Sequence, residues 1–161
     1  MKRVLCVAVV AAAATTAVCL AGCFDSCSKE EKPTAVSTYE ELISARGNVV
    51  LANDIDCGFA TITSPINANV DGHGYTVKNA VLSGSAMFDY YIAKNNVRGV
   101  KNIVLENITY DNNGNSHASL VCGYNEHENV VLENITVKNC SMKITQGESQ
   151  IYAGIFAAGI D

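Results

Sequence analysis

One eight-residue pattern occurs three times along this chain and restricts its possible folds more than any other feature. Apolar residues stand at alternate positions, then comes asparagine, and then the alternation resumes (Φ-x-Φ-x-Asn-Φ-x-Φ, with Φ apolar). The copies span 75–82, 103–110 and 130–137, and a degraded copy begins at residue 49, so the spacing is 26 to 28 residues. Self-similarity at such a period is typical of solenoids, in which each repeat stacks on the previous one.

A second motif, two small residues followed by two apolar residues, alternates with the first. It occurs at 85–88, 118–121 and 153–156, so each repeat contains two strand signals. The strands are short, with apolar residues at every second position and frequent β-branched side chains. We therefore predict an all-β chain that forms a right-handed parallel β-helix, a solenoid of about four coils.

The asparagine of the repeat has a physical reason to be there. Leu105 and Ile108 flank it three residues apart, so both side chains point inward only if the chain turns a corner between them. Asparagine tolerates the left-handed backbone conformation that such a corner needs. We predict that Asn79, Asn107 and Asn134 stack in successive coils and form a hydrogen-bonded ladder.

The first 22 residues have the features of a secretory signal peptide. Lys2 and Arg3 precede an uncharged, mostly apolar segment at 4–20. The residues at 20–23, Leu-Ala-Gly-Cys, resemble a bacterial lipobox. That resemblance implies that Cys23 becomes the lipidated N-terminus and anchors the protein to a membrane of the bacterial cell envelope, facing the extracytoplasmic side.

The segment from 23 to 36 is polar and charged and is predicted to be a flexible tether. It precedes one short helix at 37–45, which we expect to cap the β-helix domain of residues 37–161. Ser37 and Thr38 are both N-cap candidates, because each has a glutamate three residues later. The helix face expected to pack on the core comprises Tyr39, Leu42 and Ile43.

The net charge of the chain bears on its possible partners. The formal net charge of −5 makes nucleic acid a poor partner for the chain.

Two of the seven cysteines lie in the signal peptide, and Cys23 is assigned to the lipid. No C-x-x-C pair occurs among the others, so they are predicted to be small hydrophobic residues rather than disulfide partners. These four are Cys27, Cys57, Cys122 and Cys140.

From about residue 38 onward, the chain resembles bacterial surface β-helix proteins with GLUG-type repeats. The matching segments are VVLANDIDCG, SPINANVDGHGYTVKN, VKNIVLENIT and AGIFAAG. The resemblance implies the β-helix fold and an adhesin-like role at the cell surface, without a defined common activity. The small-residue strand at 153–159 begins another coil, and we expect the chain to be a fragment of a longer protein.

The segment Asp71, Gly72, His73 and Gly74 resembles the G-H-G of polygalacturonase-type glycosidases. The other motifs of those enzymes, including the clustered aspartates, do not occur in this chain. Inverting hydrolysis needs two carboxylates on opposite sides of the scissile bond. We therefore predict a structural turn and assign no catalytic residue.

No metal or cofactor is predicted. Residues 111–116 supply oxygen ligands at alternate positions, but a calcium loop also needs a glycine at its sixth position and a terminal glutamate, and this segment has neither. Asp54 and Asp56 share one strand face and mark either a cation site or, as we favour, a solvated edge. Arg98, the basic residue that a lyase would need, has no carboxylate cluster beside it in the sequence.

The class of function that remains is binding to glycans or proteins through an outer face. Candidates for stacking on sugars are Tyr90, Tyr91 and Tyr124. Two alternatives stay open. The chain is either the N-terminal part of a β-helix polysaccharide lyase or glycoside hydrolase, or a structural stalk. The outward positions predicted to form the face are Thr76, Lys78, Glu106, Thr109, Glu133 and Thr136.

Overall fold

The computed structural model describes residues 32–88, 98–111, 116–125, 130–145 and 151–160. The predicted signal peptide, Cys23 and most of the tether lie outside these ranges. Within them, the chain forms strands almost throughout, with one short helix. The elements are β1 (Thr34–Val36), α1 (Tyr39–Ser44), β2 (Gly47–Leu51), β3 (Ile55–Ile62), β4 (Ala68–Asp71), β5 (Thr76–Leu82), β6 (Arg98–Asp111), β7 (His117–Ser119), β8 (Cys122–Asn125), β9 (Val130–Lys138), β10 (Ser141–Lys143), β11 (Tyr152–Gly154) and β12 (Ala157–Ile160).

Every strand pair in the described ranges is parallel. One curled sheet of eight strands has the order β1-β2-β4-β6-β5-β3, with β9 and β10 both paired to β6. Two smaller parallel pairs, β7–β11 and β8–β12, complete the structure. The predicted all-β class with parallel strands is therefore confirmed.

Successive passes of the chain stack as four layers. Layer 1 contains β2 and β3, layer 2 contains β4 and β5, layer 3 contains β6 to β8, and layer 4 contains β9 to β12. Inward side chains of one layer lie directly on those of the next, because the strands pair in register. Two such columns are Val49, Val70, Val100 and Leu132, and Ile55, Val77, Leu105 and Val137.

The core lies on the concave side of the curled sheet and is most complete in layer 3. Ile103, Leu105, Ile108 and Tyr110 are each at most 1% exposed. Burying a side chain of this size contributes roughly 1.5–3 kcal/mol before the entropy cost is subtracted. The Tyr110 hydroxyl donates a hydrogen bond to the carbonyl of Gly84 at 2.8 Å, so this polar group is satisfied within the core.

Helix α1 covers the core beside layer 1. Thr38 is its N-cap and forms a capping box with Glu41, whose carboxylate accepts from the backbone N–H of Thr38. Leu42 is fully buried and belongs to the core cluster. Ile43 was expected on the same face but is 37% exposed. A six-residue helix presents only a narrow stripe to the core, and Leu42 occupies it.

Candidate functional site

Two rows of left-handed residues divide the curled sheet into faces. Asparagines at the corners have φ between 50° and 56°, a region that asparagine tolerates better than most residues. Corner row 1 comes directly after β4 in layer 2 and after the residues of β6 and β9 that align with the end of β4. In layers 3 and 4, corner row 2 comes five residues after corner row 1. The corner asparagines are Asn102 and Asn134 in row 1, and Asn79, Asn107 and Asn139 in row 2.

Each corner row carries a ladder of side-chain hydrogen bonds. In row 2, the amide of Asn107 donates to Oδ1 of Asn79 at 2.6 Å, and the amide of Asn79 donates to Oδ1 of Asp56 at 2.9 Å. In row 1, Asn134 donates to Asn102 at 3.0 Å, and Asn102 donates to Asp71 at 3.1 Å. Both ladders therefore begin on an aspartate, whose ionised carboxylate can accept hydrogen bonds but cannot donate them.

The predicted single ladder is corrected by this arrangement. Asn134 does not lie on Asn107, because β9 pairs with β6 five residues away from the register that the repeat indicated. Sequence reasoning also did not identify Asn102, Asp56 and Asp71 as members of the ladders. A signal was present: asparagines occur in pairs five residues apart, at 102 and 107 and again at 134 and 139.

The turn at Asp71 is built from contacts within layers 2 and 3. Oδ1 of Asp71 accepts from the backbone N–H of His73 at 3.0 Å and from Asn102. The N–H of Gly72 donates to the carbonyl of Lys101 at 2.8 Å, and the N–H of Gly74 donates to the carbonyl of Asn102 at 2.7 Å. His73 and Gly74 both have positive φ, at 50° and 85°.

Charge interactions at Asp71 follow from this geometry. The Lys101 ammonium lies 3.3 Å from Oδ2 of Asp71, and Nε2 of His73 lies 3.8 Å from the same oxygen. Partial burial alone would raise the pKa of Asp71, but hydrogen bonds from Asn102 and the His73 N–H, together with Lys101, outweigh it and lower that pKa. Asp71 is thus an ionised, hydrogen-bonded anchor of the turn.

Opposite charges alternate from layer to layer along three rows, which we call the charge rows. Oppositely charged neighbours on adjacent strands attract one another and favour the register that pairs them. Ion pairs occur in each row, at 3.3 Å for Asp71–Lys101, 3.9 Å for Asp56–Lys78 and 2.9 Å for Asp111–Lys143. The rows are Asp71, Lys101 and Glu133; Asp56, Lys78, Glu106 and Lys138; and Asp111 and Lys143.

The predicted outer face is not one flat surface. Glu133 precedes corner row 1, and Thr109 follows corner row 2, so the two corner rows separate them from the other four residues. The surface between the rows, which we call the middle face, has two outward positions in each layer. From layer 1 to layer 4 these are Asp54 and Asp56, Thr76 and Lys78, Val104 and Glu106, and Thr136 and Lys138.

A shallow cleft of about 350 Å³ lies between the start of α1 and the start of β3. Its lining includes Tyr39, Asp54, Asp56 and Cys57. Burial, reinforced by the nearby Asp56 charge, raises the pKa of the Cys57 thiol to about 11, so this thiol is protonated and weakly nucleophilic near neutral pH. Cys57, Cys122 and Cys140 form no disulfide with one another. Cys27 lies outside the described residues.

The aspartates around the cleft have structural partners. Asp54 accepts from the backbone N–H of Thr76 at 2.8 Å, and Asp56 accepts from Asn79 and from the N–H of Gly58. The side-chain bond from Asn79 is the largest cause of the lowered pKa of Asp56. These two carboxylates hold layers 1 and 2 together.

Several candidate residues of the sequence analysis lie outside the described ranges. Tyr90 and Tyr91 are among them, as are residues 112–115 of the oxygen-rich loop. Tyr124 belongs to β8, but the structure describes only its backbone, and the same holds for Arg98 in β6. An aromatic contact was missed: the rings of His117 and Tyr152 stack with centroids 5.4 Å apart. The two residues are register partners on β7 and β11.

Within the described ranges, no three His, Cys, Asp or Glu side chains lie close enough to share a metal ion. In the same part of the chain, no helix has the length and hydrophobicity of a membrane span. Comparison with protein families, with curated proteins and with solved structures found no match.

Proposed function

We propose that this chain is a lipid-anchored, non-catalytic surface module that binds glycan or protein ligands through its middle face. In this proposal the curled sheet is part of a right-handed parallel β-helix of the GLUG-repeat type. The lipid on Cys23 holds it at the extracytoplasmic side of a bacterial membrane. The adhesin-like role rests on the resemblance of the repeats and on the geometry of the middle face.

The observation that carries the proposal is the position of the charged and hydroxyl side chains on the middle face. Thr136 and Lys138 are exposed, and Lys78 and Glu106 are half-exposed, on a surface supported by a packed core. Parallel strands lie about 4.8 Å apart, so the four layers present a regular array of donors and acceptors. Such an array matches the repeating groups of a polysaccharide or an extended peptide.

The environment of the aspartates supports a binding module rather than an enzyme. Asp54, Asp56, Asp71 and Asp111 each hold a turn, a ladder or an ion pair. A glycosidase would instead need two carboxylates that face each other across a substrate cleft. Asp54 and Asp56 both line the cleft beside α1, and each accepts a hydrogen bond from layer 2 there.

Adhesion of cells that express the full chain tests the binding role. Cells are applied to arrays of polysaccharides and extracellular proteins, with wild type compared against a Glu106→Lys/Thr136→Arg double variant on the middle face. We expect wild-type cells to adhere to at least one ligand class and the double variant to lose most of that adhesion. Thr34→Arg, an exposed position on β1, is the matched control. Absence of wild-type adhesion to any ligand would favour the stalk.

Anchoring is tested separately. Treatment with an inhibitor of the lipoprotein signal peptidase should cause precursor to accumulate, and Cys23→Ser should move the protein out of the membrane fraction. An unchanged fractionation of Cys23→Ser would contradict the lipid anchor, whatever the adhesion assay shows.

A further inference from the structure

One corner of layer 1 departs from the pattern that the other layers share. In corner row 2, layers 2, 3 and 4 have asparagine in the left-handed conformation, whereas layer 1 has Phe59 there, with φ of 61°. A positive φ is uncommon for residues other than glycine, and for a bulky side chain it is an outlier. Strain of this kind persists only where the surrounding structure imposes it, and it is concentrated at functional positions.

The local structure holds Phe59 in this conformation. Three residues separate Asp56 from Ala60 on β3, but only Asn79 separates their partners on β5, so layer 1 bulges by two residues at this corner. Gly58 is also left-handed, with φ of 57°, and donates its N–H to Oδ1 of Asp56 at 3.0 Å. The same oxygen accepts from Asn79. The bulge is therefore tied to the ladder of corner row 2, and bulges of this kind redirect one side chain.

The ring of Phe59 is exposed to solvent. At 63%, it has the largest exposed fraction among the large hydrophobic side chains in the part of the chain that the structure describes. Layer 1 lies at the opposite end of the stack from residue 161, and the chain is described without interruption from residue 32 to residue 88. Further coils after layer 4 would therefore leave this ring exposed. A ligand that covers the ring would remove its apolar surface from water.

Polar side chains occupy the positions next to Phe59. Thr61 is exposed, the side chain of Asp56 is 52% exposed, and Asn79 is partly exposed. Oδ2 of Asp56 lies 3.9 Å from the Lys78 ammonium, a distance too long for a hydrogen bond, so this oxygen can accept from a ligand. Membranes and apolar helices bind to contiguous apolar patches. One aromatic ring among carboxylate, hydroxyl and amide groups instead matches a ligand that has both an apolar face and hydroxyl groups.

A concave surface adjoins the same corner. The lining of the cleft beside α1 includes residues 54–58, which end directly before Phe59. Half-buried Tyr39 adds a second aromatic ring and a hydroxyl group to this lining. Sites for small ligands are typically concave and have a few polar groups that fix the orientation of the ligand. The corner therefore combines an exposed ring, hydrogen-bonding groups and a cleft.

We propose that Phe59 and the adjoining cleft form a subsite for one sugar residue of a glycan that carries no acidic groups. The apolar C–H face of the sugar stacks on the ring of Phe59, and its hydroxyl groups donate to the carboxylate of Asp56. Glu40, Asp54 and Asp56 all line the cleft, and their charges repel uronic acids and sulfated sugars. This inference rests on the proposed binding role, narrows the ligand to a glycan and adds a contact beside the middle face.

Binding of tetrasaccharides to the purified full chain tests the subsite. The probes are cellotetraose, xylotetraose, mannotetraose and chitotetraose, with tetragalacturonate as the acidic comparison, and isothermal titration measures the affinity. We expect at least one of the first four to bind and tetragalacturonate not to bind. Phe59→Asn should weaken binding about tenfold or more, because an aromatic anchor is lost. Phe59→Tyr keeps the ring and should bind like the wild type.

The stability of the same variants separates a ligand contact from a packing role. Asparagine occupies this corner in the other three layers and tolerates the left-handed conformation. Phe59→Asn should therefore unfold at the same temperature as the wild type or at a higher one, as expected when a strained functional residue is replaced. A lower unfolding temperature would assign the ring to packing and overturn the inference. Unchanged affinity in Phe59→Asn, or lost affinity in a folded Phe59→Tyr, would overturn it as well.

The middle-face variant Glu106→Lys/Thr136→Arg distinguishes failure of this inference from failure of the proposed function. If that variant loses glycan binding and Phe59→Asn keeps it, the subsite is wrong and the proposed function stands. Binding of the wild type to proteins alone has the same meaning, whereas binding to neither class would overturn both. In the Cys23→Ser background, association with phospholipid vesicles or with a second copy that depends on Phe59 would also overturn the subsite, because that partner would then cover the ring.

Discussion

The pentapeptide Leu-Glu-Asn-Ile-Thr occurs twice in this chain, in strands that lie side by side, yet its two copies occupy different corners. The first copy, 105–109 in β6, has its asparagine in corner row 2 above Asn79. The second copy, 132–136 in β9, has its asparagine in corner row 1 above Asn102. Identical local sequence therefore does not determine which face of the stack a segment joins.

Charge pairing is more favourable in the observed register than in the one that the repeat indicated. Pairing the two copies with each other would place Glu106 opposite Glu133. In the observed register, five residues away, Glu106 faces Lys138 and Glu133 faces Lys101. Like charges directly opposite one another destabilise a strand pair, and opposite charges stabilise it. Charge pairing therefore favours the observed register where the apolar pattern allows two.

Burial also separates the two copies. Leu105 is 0% exposed and has neighbours in layers 2 and 4, whereas Leu132 contacts the core from one side only. Each layer of a stack receives half of its cover from each neighbouring layer. The energetic importance of the same residue therefore depends on its layer.

Replacing these two leucines gives the largest expected difference. Leu105→Ala should lower the free energy of unfolding by about 2–5 kcal/mol, because it leaves a cavity in a closed core. Leu132→Ala should cost roughly half as much, since water already reaches that side chain. Urea unfolding followed by circular dichroism measures both. Equal costs would show that layer 4 is covered as completely as layer 3.

Glycine substitutions test the contact between β6 and β9. A Cβ added at Gly99 would overlap the backbone carbonyl of Val131, whereas one at Gly123 would meet the movable Oγ of Ser85 at 3.2 Å. Gly99→Ala should therefore destabilise the protein by roughly 1–3 kcal/mol. Gly123→Ala is the control and should cost clearly less. Hydrogen exchange should locate the effect of Gly99→Ala in β9, and unchanged protection there would contradict the observed register.

The ladder in corner row 1 allows a matched pair of asparagine variants. Asn102 and Asn134 have similar positive φ, 53° and 50°, so replacement by alanine strains the backbone equally. Asn102→Ala removes two ladder bonds, and Asn134→Ala removes one. We expect Asn102→Ala to cost about 1 kcal/mol more. Thermal or urea unfolding measures the difference, and its absence would mean that the ladder bonds add nothing to stability.

The smallest expected effect is on pH dependence. The pKa of Asp71 is lower in the folded protein than in the unfolded chain, so its contribution to stability is complete above the unfolded value. That contribution is lost as pH falls through the lower, folded pKa. Asp71→Asn keeps an acceptor for the ladder but removes the charge, and should flatten the acid side of the stability profile. An unchanged slope in Asp71→Asn would assign acid sensitivity to other groups.

Much of the fold was accessible from the sequence. The alternation predicted parallel strands, Thr38 and Glu41 predicted the start of α1, and the asparagines marked corners. The position of Asn134 was not predicted correctly, since the repeat fits two registers that differ by five residues. The alternating charges along the rows distinguish them, but only once residues from different coils are placed opposite each other.

The sequence by itself determined the local conformations: where the chain is extended, where asparagine or glycine turns a corner, and which side chains face the core. These depend on neighbours along the chain and on steric limits of the backbone. Only the tertiary structure decided which strands lie together, that Asp56 and Asp71 begin the two ladders, and that Glu133, Lys138 and Lys143 each lie opposite a residue of the other sign on β6. Those properties arise from attraction between residues about 30 positions apart, which local preference does not encode.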